Sequence, residues 1–278
     1  FKSFLYDQRV SRYDVSTVVG LGNYTNYVFG EAGGGEFWNA LFITIILWIL
    51  NFIPQIVLAL ILAAWFTDNH NKLKGTGAYK VMMYMPNIIT AATTALLFYQ
   101  LFNVNGTITK SLIKAGLVNS NGFIEKGWGS LLLVAFIQFW MWYGNTMIVL
   151  IAGILGINPS LYEAAMVDGA SSRQTFFSIT LPLLKPILQY TLVTSAIGGL
   201  QMYDIPALFN VSGTGDALPN YASQTITMYI RKLGFTTKDM GKSAAASMIL
   251  FVVTLVISLL FFALTREREP KQKHAVIK

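Results

Sequence analysis

The sequence predicts an all-α integral membrane protein with five transmembrane helices, and two observations lead to this prediction. First, only 12% of the 278 residues are charged and 54% are hydrophobic, whereas soluble domains carry roughly 25% charged residues. Second, the charged residues leave long gaps, and about 20 helical residues suffice to cross a bilayer core of about 30 Å. These gaps are residues 37–67, 81–109, 127–162, 186–203 and 243–265.

The predicted elements follow these gaps in chain order. Residues 1–36 are polar and aromatic, and we expect an external N-terminal segment of loops or short surface helices. A transmembrane domain covers 37–265, in which Pro54 and Pro86 each remove a helix hydrogen bond. Its spans are 37–66, 81–102, 131–155, 183–203 and 243–265. Residues 156–182 form a loop that is too polar to cross, and 266–278 form a charged tail.

The distribution of charge and the lack of cysteine restrict the function. A net charge of +7 can indicate nucleic-acid binding, but the Lys and Arg residues lie in loops that flank apolar helices, which favours a role in membrane topology. Their density near the ends of spans in 67–80, 156–185 and the tail favours a cytoplasmic C-terminus. The chain has no cysteine, and His70 and His274 are far apart, so no disulfide or metal site is predicted.

The loop between the third and fourth spans contains a motif of fixed spacing. Its members are Glu163, Ala164, Ala165, Gly169, Ile179, Leu181 and Pro182. Residues 161–167 are predicted to form a short helix whose alanines permit close approach to another surface, and Gly169 suits a helix end with positive φ. Glu163 and Asp168 can pair with a cationic partner. The alternative is an amphipathic helix that lies on lipid headgroups, but such helices favour Lys and Arg over acids.

This motif resembles the EAA loop of bacterial ATP-binding cassette importer permeases. The resemblance extends over nearly the whole chain. Within the sugar-importing branch of this family, the sequence is similar to the MalF-type subunit. It is also carried by residues 19–24, 37–41, 158–159 and 180–186. The family core has six helices, so the resemblance implies that the first helix precedes residue 1. The family's Gly-Gly-Pro near the start of the last outer loop is replaced around 212–216.

The resemblance also implies a set of partners. The chain has no Gly-x-x-x-x-Gly-Lys-Ser/Thr loop for ATP phosphates. ATP and magnesium would therefore bind to a separate ATPase homodimer that docks on residues 161–182, and this chain would hold no cofactor. A homologous second permease and an extracytoplasmic sugar-binding protein complete the implied complex in the inner membrane, with lipid around it and no nucleic acid.

Polar and aromatic side chains within the spans suggest a path for sugar. Gln138, Trp142 and Asn145 are spaced i, i+4, i+7 and share one helical face, and polar groups inside spans tend to face a cavity. An aromatic face suits the C–H surface of a sugar, and amides and hydroxyls suit its hydroxyl groups. The candidate contacts are Asn87, Gln138, Met141, Trp142, Asn145, Ser195, Gly199 and Met202. The alternative is that the amides join neighbouring helices.

The predicted function is that of one permease subunit of an ATP-driven, binding-protein-dependent importer of a sugar, with an oligosaccharide as the favoured cargo. A secondary transporter or channel would require ionisable residues inside spans, and Asp204, at the end of a span, is the nearest acid. A membrane-embedded enzyme would require a catalytic set, and none is seen in the sequence. The chain is therefore predicted not to be an enzyme.

Overall fold

The computed structural model describes residues 5–10, 13–30, 34–68, 74–119, 122–124, 127–209 and 222–265, and these are nearly all helical. The elements in chain order are β1 Leu5–Val10, β2 Tyr13–Val18, α1 Gly34–Thr67, α2 Thr76–Ile88, α3 Ala91–Phe102, α4 Thr107–Lys114, α5 Gly127–Leu155, α6 Pro159–Val167, α7 Ser172–Thr175, α8 Leu181–Leu183, α9 Lys185–Leu200, α10 Asp204–Phe209, α11 Ile226–Arg231 and α12 Met240–Thr265. π-helical turns occur at Asn23–Val28, Phe176–Thr180 and Lys232–Thr236. The predicted tail 266–278 lies outside the described residues.

Three helices of the described chain, α1, α5 and α12, are long and apolar enough to cross a membrane. Two bent pairs meet the same criterion when each pair is taken as one span, which gives up to five spans. The first pair joins α2 to the α3–α4 unit with a bend of 84°, and the second joins Ser172–Leu183 to Lys185–Phe209 with a bend of 64°. The chain therefore folds as a mostly helical membrane protein whose shorter spans are broken.

The predicted span over 81–102 is broken in the structure, between α2 and α3. Helix α2 ends before Ile89, whose backbone is extended (φ −72°, ψ 136°). Thr90 is also extended, and its Oγ1 accepts a hydrogen bond from the backbone N–H of Thr93 at 3.3 Å. This N-cap starts α3 in a new direction. The break thus lies in an uncharged stretch, where apolar composition alone does not reveal it.

The N-terminal segment also departs from the prediction of loops or short helices. β1 and β2 form an antiparallel hairpin whose register pairs Leu5 with Val18 and Val10 with Tyr13. Within the described residues, this hairpin is the one addition of strands to the predicted helical fold. The π-helical turn over Asn23–Val28 then leads towards α1.

Close packing of α1 and α2 on α5 forms the frame of the molecule. Ala59 and Ala63 of α1 are fully buried in a cluster with Met147 and Leu150 of α5. Small residues let the two helix backbones approach closely. Gly144 of α5 has the same role against α2: a Cβ at this position would lie 2.6 Å from the backbone oxygen of Met83.

A tyrosine pair joins the N-terminal segment to the other end of the chain. The hydroxyls of Tyr27 and Tyr229 lie 2.6 Å apart, and the Nζ of Lys242 lies 4.9 Å from the centre of the Tyr27 ring. Burial raises the pKa of Tyr229, and the hydrogen bond with Tyr27 raises it further. Burial is also the main cause of the raised pKa of Tyr27. Both hydroxyls therefore stay protonated at neutral pH.

This pair predicts a loss of stability at alkaline pH. Because the folded state holds the phenol protons more tightly, the free energy of unfolding falls as pH rises above the ordinary tyrosine pKa of about 10. The Tm of the purified protein should fall more between about pH 8 and about pH 10.5 than the Tm of Tyr229→Phe does. Tyr79→Phe, at an exposed position, serves as the control and should keep the native pH dependence. Equal losses in the native protein and in Tyr229→Phe would contradict this account.

Candidate functional site: a central cavity and an exposed helical loop

A cavity of about 600 Å³ lies between α1, α5, α9 and the segment 201–205. Seven of the eight residues predicted for a sugar path line it: Gln138, Met141, Trp142, Asn145, Ser195, Gly199 and Met202. The eighth, Asn87, is not among the lining residues. Its Nδ2 donates to the backbone oxygen of Met141 at 3.1 Å, and so Asn87 joins the end of α2 to α5.

Helix α1 contributes a face that the sequence prediction missed. Trp48, Asn51 and Gln55 line the cavity with the spacing i, i+3, i+7. The Nδ2 of Asn51 donates to the Leu47 oxygen at 2.8 Å, and the Nε2 of Gln55 donates to Oγ1 of Thr146 at 2.7 Å. Asn51 and Gln55 are amides inside an uncharged run of residues. This is the same signal that indicated the polar face of α5, since polar side chains within spans tend to face a cavity.

Two tryptophans in the cavity wall have different surroundings. Trp142 is 47% exposed, whereas Trp48 is only 8% exposed. The indole N–H of Trp48 donates to Oγ of Ser195 at 3.0 Å. The ring also lies so close to Gly199 that a Cβ there would overlap it. Trp142 therefore offers a ring to the cavity, while Trp48 is fixed between α1 and α9.

The cavity wall contains many polar side chains but almost no charge. Amides, hydroxyls and indoles dominate it, and Asp204 in the first turn of α10 is the one charged residue among the lining residues in the described part of the chain. The segment that follows α9 is held in place by Thr225, whose Oγ1 donates to the backbone oxygen of Met202 at 2.9 Å. Such a wall suits a neutral, hydroxyl-rich molecule better than an ion.

The loop between α5 and α9 begins with the capped helix α6. The Asn158 side chain accepts a hydrogen bond from the backbone N–H of Ser160 at 3.1 Å, and Pro159 occupies the first turn. At the other end Gly169 has φ +73°, which confirms the predicted helix end. Its N–H donates to the Met166 oxygen, and the N–H of Ala170 donates to the Ala165 oxygen. This pair of bonds is a Schellman motif.

The rest of the loop folds back on α6 and on the end of α1. Ser171 and Gln174 form a capping box at the start of α7. The hydroxyls of Tyr162 and Thr180 lie 3.1 Å apart, and Oγ of Ser172 donates to Asp68 at 3.3 Å. The loop is therefore folded, and a hydrogen bond connects it to the end of α1, the helix that lines the cavity.

The motif residues of this loop are mostly at the surface. Glu163, Ala164, Asp168, Gly169 and Pro182 are exposed, and Ile179 and Leu181 are partly buried. Ala165 is buried against the body of the protein, while Val167 is 87% exposed. Leu161 and Met166 of the same helix are also exposed, so α6 presents apolar side chains beside its acids.

The described residues contain no group of three or more His, Cys, Asp or Glu side chains that could hold a metal ion. His70 and His274 lie outside the described residues. The replaced Gly-Gly-Pro region around 212–216 also lies outside them.

Two curated relatives resemble the chain over most of its length. The lactose transport system permease protein LacF of Rhizobium radiobacter is 32% identical over 237 residues, which cover 84% of this chain and 77% of LacF. The trehalose/maltose transport system permease protein MalF of Thermococcus litoralis is 30% identical over 257 residues, which cover 90% of this chain and 80% of MalF.

A solved structure and a family model agree with these relatives. A chain of a bacterial ABC transporter involved in the import of the acidic polysaccharide alginate superposes with a TM-score of 0.74 at 26% identity, over 89% of this chain and 83% of that chain. The model of the family described as binding-protein-dependent transport system inner membrane component matches residues 32–272. This chain therefore belongs to the family of binding-protein-dependent transport system inner membrane components.

Proposed function

We propose that this chain is a permease subunit of an ATP-driven, binding-protein-dependent sugar importer, and that it forms half of the translocation path. The observation that carries this proposal is the central cavity, whose wall combines an exposed indole with amides and hydroxyls and is almost uncharged. Relatives named for lactose, arabinooligosaccharides and trehalose/maltose support a sugar as the cargo. The relative named for arabinooligosaccharides supports an oligosaccharide.

The proposed mechanism is alternating access, coupled through the loop that contains α6. A separate ATPase homodimer binds to the exposed face of α6 around Glu163 and Val167. It moves this loop when it binds and hydrolyses ATP. Since Ser172 is hydrogen-bonded to Asp68 at the end of α1, a movement of the loop reaches the helix that carries Trp48, Asn51 and Gln55. ATP thereby changes the relative free energies of two states of the cavity.

The proposed complex also contains a homologous second permease and an extracytoplasmic sugar-binding protein. The related alginate transporter was crystallised with a periplasmic protein that holds an alginate pentasaccharide. We place the α6 loop and the tail in the cytoplasm and residues 1–36 outside, because Lys and Arg residues are dense near the ends of spans on the α6 side. All nucleotide chemistry belongs to the partner ATPase.

A test of the cargo uses the ATPase activity of the co-expressed complex with a panel of saccharides. With sugar at a concentration that saturates the binding protein, Trp142→Ala should lower the sugar-stimulated ATPase rate by about 2- to 13-fold, because a contact with an aromatic ring contributes about 0.5–1.5 kcal/mol. Trp128→Ala serves as the control, since Trp128 is an exposed residue of the same helix and does not line the cavity. An unchanged sugar-stimulated rate in Trp142→Ala would remove Trp142 from the path.

A further inference from the structure

The ring of Trp48 is held on several sides. Phe52 stacks on it with ring centroids 5.7 Å apart and an angle of 18°, and Phe261 of α12 lies at the same distance with an angle of 45°. Ser195 accepts its indole N–H at 3.0 Å. Only 8% of the residue is exposed, so the ring offers little area for stacking and acts as a fixed part of the wall.

Gly199 is the position that lets the ring lie there. A Cβ at this residue would overlap the Cδ1 of Trp48 and lie 2.6 Å from its Cγ. Gly199 is a predicted contact for cargo and lines the cavity, and the indole of Trp48 occupies the space that a Cβ of residue 199 would fill. The width of the cavity between α1 and α9 is thus set by one aromatic ring and by the lack of a side chain opposite it.

We propose that Trp48 is a specificity-determining residue that limits the size of the saccharide accepted by the cavity. This inference rests on the proposed function as a sugar importer. Replacing the indole with the smaller phenyl ring of Phe adds space to the cavity and frees the Ser195 hydroxyl for a sugar hydroxyl. The added space favours a longer saccharide over a shorter one, whereas the freed hydroxyl is available to either.

The experiment measures uptake by the full complex, with its ATPase, second permease and binding protein, in proteoliposomes. The probes are the labelled disaccharide, trisaccharide and tetrasaccharide of the sugar that stimulates the native complex most strongly. Each is supplied at a concentration that saturates the binding protein, so that the selectivity of the binding protein does not enter. Trp48→Phe should raise the ratio of tetrasaccharide to disaccharide uptake by about tenfold, the lower limit for a pocket altered by one small group.

Two further variants separate cavity size from general damage. Trp128→Phe makes the same substitution at an exposed residue that does not line the cavity, so it should leave both the uptake rates and their ratio unchanged. Gly199→Ala should shift the ratio in the opposite direction, because Phe52 and Phe261 back the ring and the added Cβ displaces it towards the cavity. It also provides a test if Trp48→Phe fails to assemble.

The outcomes distinguish a failure of the proposed function from a failure of the inference about Trp48. If the native complex takes up none of the panel, the proposed function fails and the inference fails with it. If the native complex transports sugar but neither Trp48→Phe nor Gly199→Ala changes the uptake ratio, the inference about Trp48 alone is overturned. Opposite shifts in these two variants establish Trp48 as the size limit.

Discussion

Replacing Glu163 with Lys is expected to detach the ATPase and to lower ATP-driven sugar uptake at least about 30-fold. Glu163 is an exposed acid on α6, next to Ala164 and close to the highly exposed Val167. If a cationic group of the ATPase pairs with this carboxylate, reversing its charge leaves two cations facing each other, and disrupting such a pair costs about 2 kcal/mol or more. Co-purification of the ATPase with a tagged permease, followed by uptake in proteoliposomes, measures both effects.

The matched control is the same substitution at the other end of the molecule. Glu36 is an exposed acid in the first turn of α1, and Glu36→Lys should retain the ATPase and most of the uptake. If Glu163→Lys still co-purifies with the ATPase and transports at the native rate, α6 is not the docking element. The remaining explanation would then be a helix that lies on lipid headgroups.

Gly144→Val is expected to prevent folding or to destabilise the protein by about 3 kcal/mol, near the upper end of what overpacking usually costs. A Cβ on Gly144 would lie 2.6 Å from the oxygen of Met83 and 3.0 Å from the Cα of Tyr84. Both contacts are with backbone atoms of α2, so no side-chain rotation can relieve them. Separating α2 from α5 would also stretch the hydrogen bond from Asn87 to Met141. The fraction of monodisperse protein and its Tm in detergent measure the loss.

Gly77→Ala provides the comparison on α2 itself. A Cβ at Gly77 meets no atom within 4 Å, and alanine is favoured over glycine in helices by up to about 1 kcal/mol. This variant should therefore be as stable as the native protein or slightly more stable. Equal Tm values for Gly144→Val and the native protein would show that α2 and α5 are not packed as described.

The long helices were predictable because their signal is simple. An uncharged run longer than a bilayer core allows few other structures, and α1, α5 and α12 all lie in such runs. The break at Ile89 and Thr90 was not predictable in the same way, since apolar residues continue on both sides and the cap comes from one threonine. The N-terminal hairpin is not predictable in this way either, because the polarity of residues 1–36 does not reveal the pairing of two strands.

The candidate cavity was predictable where polar residues recur with helical spacing. Gln138, Trp142 and Asn145 of α5 were found in this way, and Asn51 and Gln55 of α1 carried the same signal without being used. Trp48 could not be found from spacing, since an aromatic residue in an apolar run has no contrast with its neighbours. Its role depends on Ser195 and Gly199, which are about 150 residues away in the sequence and meet it only through the packing of α9 on α1.

The shortness of α9 has a consequence for hydration. Its 16 residues span about 24 Å at 1.5 Å per residue, less than the hydrocarbon thickness of about 30 Å, and the chain after Leu200 leaves the helix beside the cavity. Since α10 and not α9 alone completes this broken span, the non-helical backbone at Gln201 and Tyr203 is of the kind tolerated at membrane depth beside a water-filled cavity, and both residues line the cavity. If the proposed sugar enters here, it exchanges its hydration shell for protein groups step by step, which lowers the free-energy barrier of dehydration.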